Sequence, residues 1–565
     1  MFNRSLPRAM LILLGFLQAL AGRYWMEPDG VNYLDAARAY LRHDWHLALN
    51  GWWSPLYSWL LALSLLLVRP SPRLESTVLH LLNFLVFLAA LLSFEVFLKE
   101  ATRESSSPNH DTVGGFSTDL VYLLGYTLFA FSSLFLITLR LDTPDLCVAS
   151  VVFLAFALVL RIRSNEASLV TYLLLGFVLA IGYFAKTAMF PLAFSFLVSA
   201  WLGVPPRPKH LLHVLAATVL FLGLSSPLIY FLSIRAAHPT FGEIGRMAYA
   251  VYVNGVPDPV AWQAGVPGTG HPLHPMTVSS TSPPVYVYTQ PFEASYPPWY
   301  DSSYWFAGVT PHFELRGQIR ALRLNLSSYY LEFSTRREFL VGFLALFLVS
   351  GAWFTALKGI FHQWPIWIPT LAAFSMYAFV HADTRFLGAF FALFWFAAFL
   401  GLREACKDVP TRFVSSIVGV IAFMVAITCL DGALGDAISL SRGPIHEQWE
   451  VAEALRHAGL SPGERVAIIG HSNTADYWAH LADLRIVAEV TQEGAPVFWQ
   501  ATPEGKARVM EEFRMAGAKA VVTLFSSAQS TTGWIRLGRS SYYVLLFESG
   551  GSMTPRPENK PTPVP

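Results

Sequence analysis

Four short stretches of this 565-residue chain bring carboxylates and cations together where apolar runs stop. They are Glu27-Pro28-Asp29-Gly30-Val31-Asn32-Tyr33-Leu34-Asp35-Ala36-Ala37-Arg38, Leu141-Asp142-Thr143-Pro144-Asp145, Tyr183-Phe184-Ala185-Lys186-Thr187 and His381-Ala382-Asp383-Thr384-Arg385. A carboxylate can take the proton of an attacking hydroxyl as general base. Lys and Arg can hold a phosphate and neutralise it as it departs. Together these groups suit displacement of an acidic leaving group by a neutral hydroxyl. Each stretch also has a plainer reading. Asp29 can cap the helix that follows it, and Asp35 with Arg38 can pair on a solvent face. Asp142 to Asp145 carries the residues of a tight turn. Lys186 is a snorkelling anchor or a ligand for an anionic headgroup, and Arg385 can meet Asp383 as well as a phosphate.

The elements that must position these residues are set by the apolar blocks. The chain is 54% hydrophobic and only 14% charged, where a soluble domain carries about 25% charge. That excludes a large soluble enzyme and gives the pattern of a polytopic membrane protein. The formal net charge of +1 calls for no nucleic-acid partner. Cys147, Cys406 and Cys429 lie too far apart for a disulfide scaffold or a Cys-rich metal cluster. Apolar runs cover 9–21, 77–98, 120–141, 146–160, 169–184, 188–202, 211–232, 340–357, 365–380, 386–402 and 413–430, about eleven spans by the hydropathy rule. The run 56–68 is short for a span, and Trp52, Trp53 and Tyr57 precede it, so it reads as an interfacial helix. With that assignment the basic joints at Lys99/Arg103, Arg161/Arg163, Arg207/Lys209, Lys358 and Arg403/Lys407/Arg412 face the cytoplasm, as the positive-inside rule asks. All four chemical stretches then lie on the opposite, extracytoplasmic side. The first run, ending Ala19-Leu20-Ala21, is either the first span or a cleaved signal peptide.

The outer segments differ in character. The loops are 23–53 and 235–337, and the second, rich in Pro, Gly, Tyr and Trp, reads as an irregular cap. Trp299 and Tyr300 in it can stack on sugar rings or simply pack the loop. His271 and His274 (H-P-L-H) do not by themselves close a metal site. From 440 to 549, helices at 447–458 and 503–516 alternate with strands at 465–469, 485–489, 520–524 and 542–547, which argues a small extracytoplasmic α/β domain. Gly470-His471-Ser472-Asn473 after the first strand lacks G-x-G-x-x-G and does not make a dinucleotide site. Residues 550–565 are Pro-rich and read as a disordered tail.

Over residues 1–434 the chain resembles the GT-C membrane glycosyltransferases, the protein O-mannosyltransferases and the lipid A aminoarabinose transferase among them. The matching pieces are Asp29-Gly30-Val31-Asn32-Tyr33, Ser54-Pro55-Leu56-Tyr57, Asp142-Thr143-Pro144-Asp145, Gly182-Tyr183-Phe184-Ala185-Lys186-Thr187 and Asp383-Thr384-Arg385-Phe386. The resemblance implies a mainly α polytopic GT-C-like bundle in the plasma (inner) membrane, working on the extracytoplasmic face. It implies an inverting transferase that takes a sugar from a polyprenyl-phosphate donor to an acceptor hydroxyl of a glycan, lipid or protein. It maps the catalytic base onto Asp29, the second-loop acid onto Asp142 or Asp145, and a donor-phosphate contact onto Lys186, with Arg385 beside it. Tyr33, Trp299 and Tyr300 are the candidate sugar or acceptor contacts. Many members carry two acids together where this chain has Asp29-Gly30, and Glu27 is the nearest substitute for the missing one. No cofactor is assigned, and a divalent metal is neither assigned nor excluded. The competing reading is a lipid-linked-sugar carrier, flippase or other transporter, but internal repeats and midplane charges are not evident.

Overall fold

The computed structural model describes residues 4–103, 115–164, 168–205, 208–288, 291–441, 447–470, 476–524 and 533–547. The expected tail at 550–565 and three residues of the Gly470–Asn473 turn fall outside them. The chain divides into two units. One comprises Met1–Asp258, Val266–Pro272 and Phe306–Pro444, and the other comprises Pro259–Gly265, Leu273–Trp305 and Ile445–Pro565.

The first unit is helical. Its main helices are α1 (Ser5–Gly22), α2 (Pro28–Leu41), α3 (Pro55–Val68), α4 (Glu75–Arg103), α5 (Thr118–Phe131), α6 (Asp145–Arg163), α7 (Leu169–Ala185) and α8 (Met189–Leu202). They continue with α9 (Pro208–Ala236), α10 (Leu315–Thr335), α11 (Arg337–Val349), α12 (Trp364–Phe379), α13 (Thr384–Gly401) and α14 (Thr411–Ser441). Seven of the expected spans are realised at full length: α1, α4, α5 with a π-helical continuation to Ile137, α6, α9, α13 and α14 are long and apolar enough to cross a membrane. This is a multi-pass membrane protein. The other four expected spans are the shorter helices α7, α8, α11 and α12. The expected run 340–357, which gives α11, breaks after Val349, and a separate helix covers Trp353–His362.

Two devices pack these helices. Phe94 of α4 sits edge-on to Phe153 of α6 at 4.8 Å, Phe156 meets Phe196 of α8 at 4.7 Å, and Phe97 meets Phe396 of α13 at 5.0 Å. Such pairs contribute about 0.5–1.5 kcal/mol each beyond buried area. Elsewhere small residues let backbones touch: a Cβ at Gly176 of α7 would lie 2.3 Å from the Ala217 carbonyl oxygen of α9.

The segment 235–337 is more ordered than its composition suggests. It contains the helix Ile244–Tyr252, the 21-residue α10 and two strands. Those strands, β1 (Thr277–Thr281) and β2 (Pro284–Val287), belong to the second unit. There they join β3 (Arg465–Ile469), β4 (Arg485–Val490), β5 (Ala520–Leu524), β6 (Ile535–Arg536) and β7 (Tyr542–Leu546) in one sheet, ordered β1-β2-β4-β3-β5-β7-β6. The central strands β4, β3 and β5 are parallel and both edges antiparallel. Helix α15 (Glu447–His457) and helix α16 (Pro503–Met515) lie close to their expected positions. Thr502 caps α16 by accepting from the Gly505 N–H. Val509 and Phe513 of α16 share a core with Ala467, Ile469, Val490 and Val521 of the parallel strands.

Candidate active site

Asp29 lies in the first turn of α2. Glu27 occupies the N-cap position and Pro28 follows it, so Asp29 is not the cap that its sequence position allowed. The helix dipole favours a carboxylate in this turn. Its Oδ2 accepts a 3.1 Å hydrogen bond from Nη2 of Arg385. Burial pushes the Asp29 carboxyl above the ordinary carboxylate range, and the Arg385 guanidinium opposes that rise.

Arg385 stands in the first turn of α13, the end of a helix that disfavours a cation. Three carboxylates offset this. Besides Asp29, Asp383 Oδ2 lies 3.3 Å and Asp145 Oδ2 3.9 Å from Arg385 Nε. Asp383 is also the N-cap of α13, its Oδ1 accepting from the Arg385 backbone N–H at 3.1 Å. Asp145 in turn accepts from Lys186 Nζ at 2.6 Å through Oδ1 and from Thr143 Oγ1 at 2.8 Å through Oδ2. Lys186 follows α7 directly, and its ammonium lies 3.4 Å from the centre of the Phe386 ring. Burial lowers the Lys186 ammonium, and Asp145 works against that shift. The four stretches therefore converge in one chain of contacts: Asp29, Arg385, Asp145, Lys186.

The two acids of the second stretch part company. Asp142 contacts neither cation. Its Oδ2 accepts from the Glu27 N–H at 3.1 Å and its Oδ1 from Asn83 Nδ2 at 3.3 Å, with His80 Nε2 3.6 Å away. Tyr57 of α3 donates to Asn83 Oδ1 at 2.6 Å. Burial pushes Asp142 up to about 6, against the pull of His80 and of the Glu27 N–H. Asp142 thus pins the loop that presents Asp29. Gly30 explains the missing second acid of the first stretch: a Cβ there would lie 2.5 Å from Asp142 Cβ and 2.8 Å from Met26 Sδ. His80 and Asn83, both on α4, were not foreseen, although two polar residues inside an apolar span are the signal that could have found them.

Of the remaining expected residues, Tyr33 lies one turn after Asp29. It is buried, with Trp53 and Tyr57 edge-on at 5.0 and 5.1 Å. Arg38 reaches Glu75 at 2.9 Å, and Asp35 is buried rather than on a solvent face. Trp299 and Tyr300 belong to the second unit, where Tyr300 is fully buried and packs on Phe292. Among the described residues no three His, Cys, Asp or Glu side chains are grouped to hold a metal. Asp29, Asp145 and Asp383 converge on the Arg385 guanidinium.

A groove of about 320 Å³ opens beside this cluster. Asp383 and His381 line it together with apolar Leu136, Phe333, Phe374 and Phe391, and Glu332 is the further acid in its wall. The site therefore borders a mainly apolar trough with charge at its margin.

An aminoarabinose transferase, ArnT from Cupriavidus metallidurans, has a similar structure in its apo state. It shows 12% identity over 96% of this chain and 97% of its own, with a TM-score of 0.53. The fold is the GT-C fold. The same ArnT bound to undecaprenyl phosphate aligns over the same shares at 13% identity with a TM-score of 0.42. An Archaeoglobus fulgidus oligosaccharyltransferase, solved with Zn and sulfate, aligns at 12% identity over 91% of this chain and 67% of its own with a TM-score of 0.47. No protein-family model and no curated protein sequence matches this chain. The GT-C bundle runs through the first unit and brings residues more than 350 positions apart, Asp29 and Arg385, into contact.

Proposed function

We propose that the chain is a membrane glycosyltransferase that moves a sugar from a polyprenyl-phosphate donor to an acceptor hydroxyl on the extracytoplasmic face, with inversion. The observation that carries this reading is the contact chain Asp29–Arg385–Asp145–Lys186 beside an apolar groove. Asp29 takes the hydroxyl proton as the acceptor oxygen attacks the anomeric carbon. The bond between that carbon and the phosphate oxygen breaks on the opposite face, and the polyprenyl phosphate leaves with the electron pair. A carboxyl whose proton affinity is raised by burial is a better base than an exposed one. Lys186 and Arg385 hold the departing phosphate, while Asp145 keeps both cations in place and yields ligand positions to it. The groove takes the first isoprene units of the donor, and Tyr33 supports Asp29 from one turn away.

The test is to incubate the purified chain with a panel of polyprenyl-phosphate sugars and follow release of lipid phosphate. Asp29→Asn is expected to lower turnover by about 10²–10⁴-fold, the contribution of a positioned base, with membrane insertion intact. Unchanged turnover in that variant rejects Asp29 as the base, and no release with any donor rejects the transferase reading.

A further inference from the structure

Helix α10 carries three arginines that the proposed reaction does not use. Arg316, Arg320 and Arg323 recur at i, i+4 and i+7, which places them on one side of the helix. All three are exposed, and none lies within ion-pair distance of a carboxylate among the described residues. Arg320 Nη2 donates to the Val253 carbonyl oxygen at 3.0 Å. Beside the arginines runs an apolar stripe, Leu315, Ile319, Leu326 and Tyr330, at 61%, 57%, 50% and 76% exposure. The opposite side, with Gly317, Ala321 and Asn325 buried, is the one that docks.

The docking contacts fix the depth of each part. Gln318 Nε2 donates to the Phe379 carbonyl oxygen at 2.7 Å, Asn325 Nδ2 to that of Ala378 at 2.9 Å, and the Tyr329 hydroxyl to that of Phe374 at 2.8 Å. Helix α10 therefore descends α12 from the end that carries Asp383 and Arg385, about 1.5 Å per residue. Asn325 Oδ1 also accepts from the Ala382 N–H at 3.1 Å, which sets it level with the turn that carries Asp383. The arginines lie about 3–14 Å further out along the helix, and Tyr330 lies deeper. On the topology adopted above that end faces away from the cytoplasm, where clustered arginines run against the usual charge bias. Three guanidinium groups without a carboxylate partner among the described residues, outward of the exposed Leu326 and Tyr330, match the two halves of one kind of molecule.

We infer that this face of α10 is a docking surface for an anionic glycerophospholipid of the outer leaflet. Its phosphate lies on Arg316, Arg320 and Arg323, and its acyl chains run inward along Leu326 and Tyr330. Guanidinium groups suit a phosphate because they offer paired donors in a plane. The surface anchors the helix that forms one wall of the groove, through Tyr329, Leu331 and Phe333.

The placement of the phospholipid in the outer leaflet rests on the sidedness in the proposed function, but the test does not need transferase activity. The full chain in detergent is titrated with phosphatidylglycerol or phosphatidylcholine, and thermal unfolding is followed. Phosphatidylglycerol is expected to raise the melting temperature more than phosphatidylcholine does, and this difference should shrink at high salt. The variant R316Q/R320Q/R323Q is expected to keep the phosphatidylcholine response and lose the difference. If it does not fold, R316Q/R323Q leaves the Arg320–Val253 contact intact and should lose most of the difference. Equal responses of the unaltered chain to both lipids overturn the inference, and so does a difference retained in the folded variant. Glycerol phosphate without acyl chains should give no shift, and a shift equal to that of the lipid would overturn the lipid as occupant.

Discussion

At the scale of single residues the site is a balance between burial and pairing. Burial raises Asp29 and lowers Lys186, and in each case the partner one step along the chain opposes the shift. On the proposed mechanism Asp29 works deprotonated, so the rate is expected to fall as pH drops through its raised value. The acid limb of kcat/KM is therefore expected above the ~3.9 of an ordinary aspartate. Arg385→Gln removes the main charge that favours the carboxylate, and the acid limb should move further up. On the proposed mechanism Lys186 holds phosphate only while charged, so its contribution is lost as pH rises through its value. Asp145→Asn takes away the group that sustains that charge and should move the alkaline limb down. Paired pH–rate profiles measure both shifts, and an Arg385→Gln limb that stays put or falls contradicts the assigned geometry. Asp29, Asp145, Lys186 and Arg385 were legible in the sequence because each ends or joins an apolar run. What the sequence left open was which of Asp142 and Asp145 meets the cations, since both sit in one turn and only three-dimensional packing directs them apart.

At the scale of elements, the elbow between α1 and α2 decides where Asp29 points. Asp142 reaches into it from the loop before α6, and His80 and Asn83 hold Asp142 from α4. Gly30 makes room for that approach. An alanine in a helix is intrinsically better than glycine by about 1 kcal/mol, so propensity alone predicts that Gly30→Ala stabilises. Overpacking against Asp142 Cβ at 2.5 Å costs about 1–3 kcal/mol and should win. We expect Gly30→Ala to lower the melting temperature and to lower turnover more than a comparable exposed Gly→Ala change, such as Gly245→Ala, whose added Cβ meets nothing. A thermal melt and a transfer assay on the two variants decide it. Most helices could be anticipated because apolar runs in lipid have few alternatives to helix. Helix α10 could not, because its polar side and apolar stripe nearly cancel in any hydropathy average, and its Pro- and Gly-rich approach reads as loop.

At the scale of the whole molecule, the second unit is assembled from distant parts of the chain. The strands β3, β4, β5 and β7 follow the sequence pattern, but β1 and β2 come from nearly two hundred residues earlier, and β2 pairs with β4 through Tyr286 with Glu489 and Val287 with Ala488. A single sequence carries no record of that pairing, because strand edges are matched by backbone hydrogen bonds rather than by residue identity. The earlier segment also brings polar partners. Glu489 is buried in β4, and its carboxylate accepts from the Tyr296 hydroxyl at 3.0 Å, with the Tyr288 hydroxyl at 3.4 Å. A fragment covering 445–547 alone would expose the β4 edge and strip these donors from a buried acid. Each loss of a partner to a buried polar group costs about 1–3 kcal/mol, more for a charged one, against the 5–15 kcal/mol that holds a typical domain together. An open, apolar strand edge also invites association between copies. The 445–547 fragment is therefore expected to be insoluble or aggregated. Joining 273–305 ahead of it through a flexible linker should recover a soluble monomer with a cooperative melt. Size-exclusion chromatography and thermal unfolding of the two fragments test this, and a monomeric, cooperatively folding 445–547 would show that β1 and β2 are dispensable to the sheet.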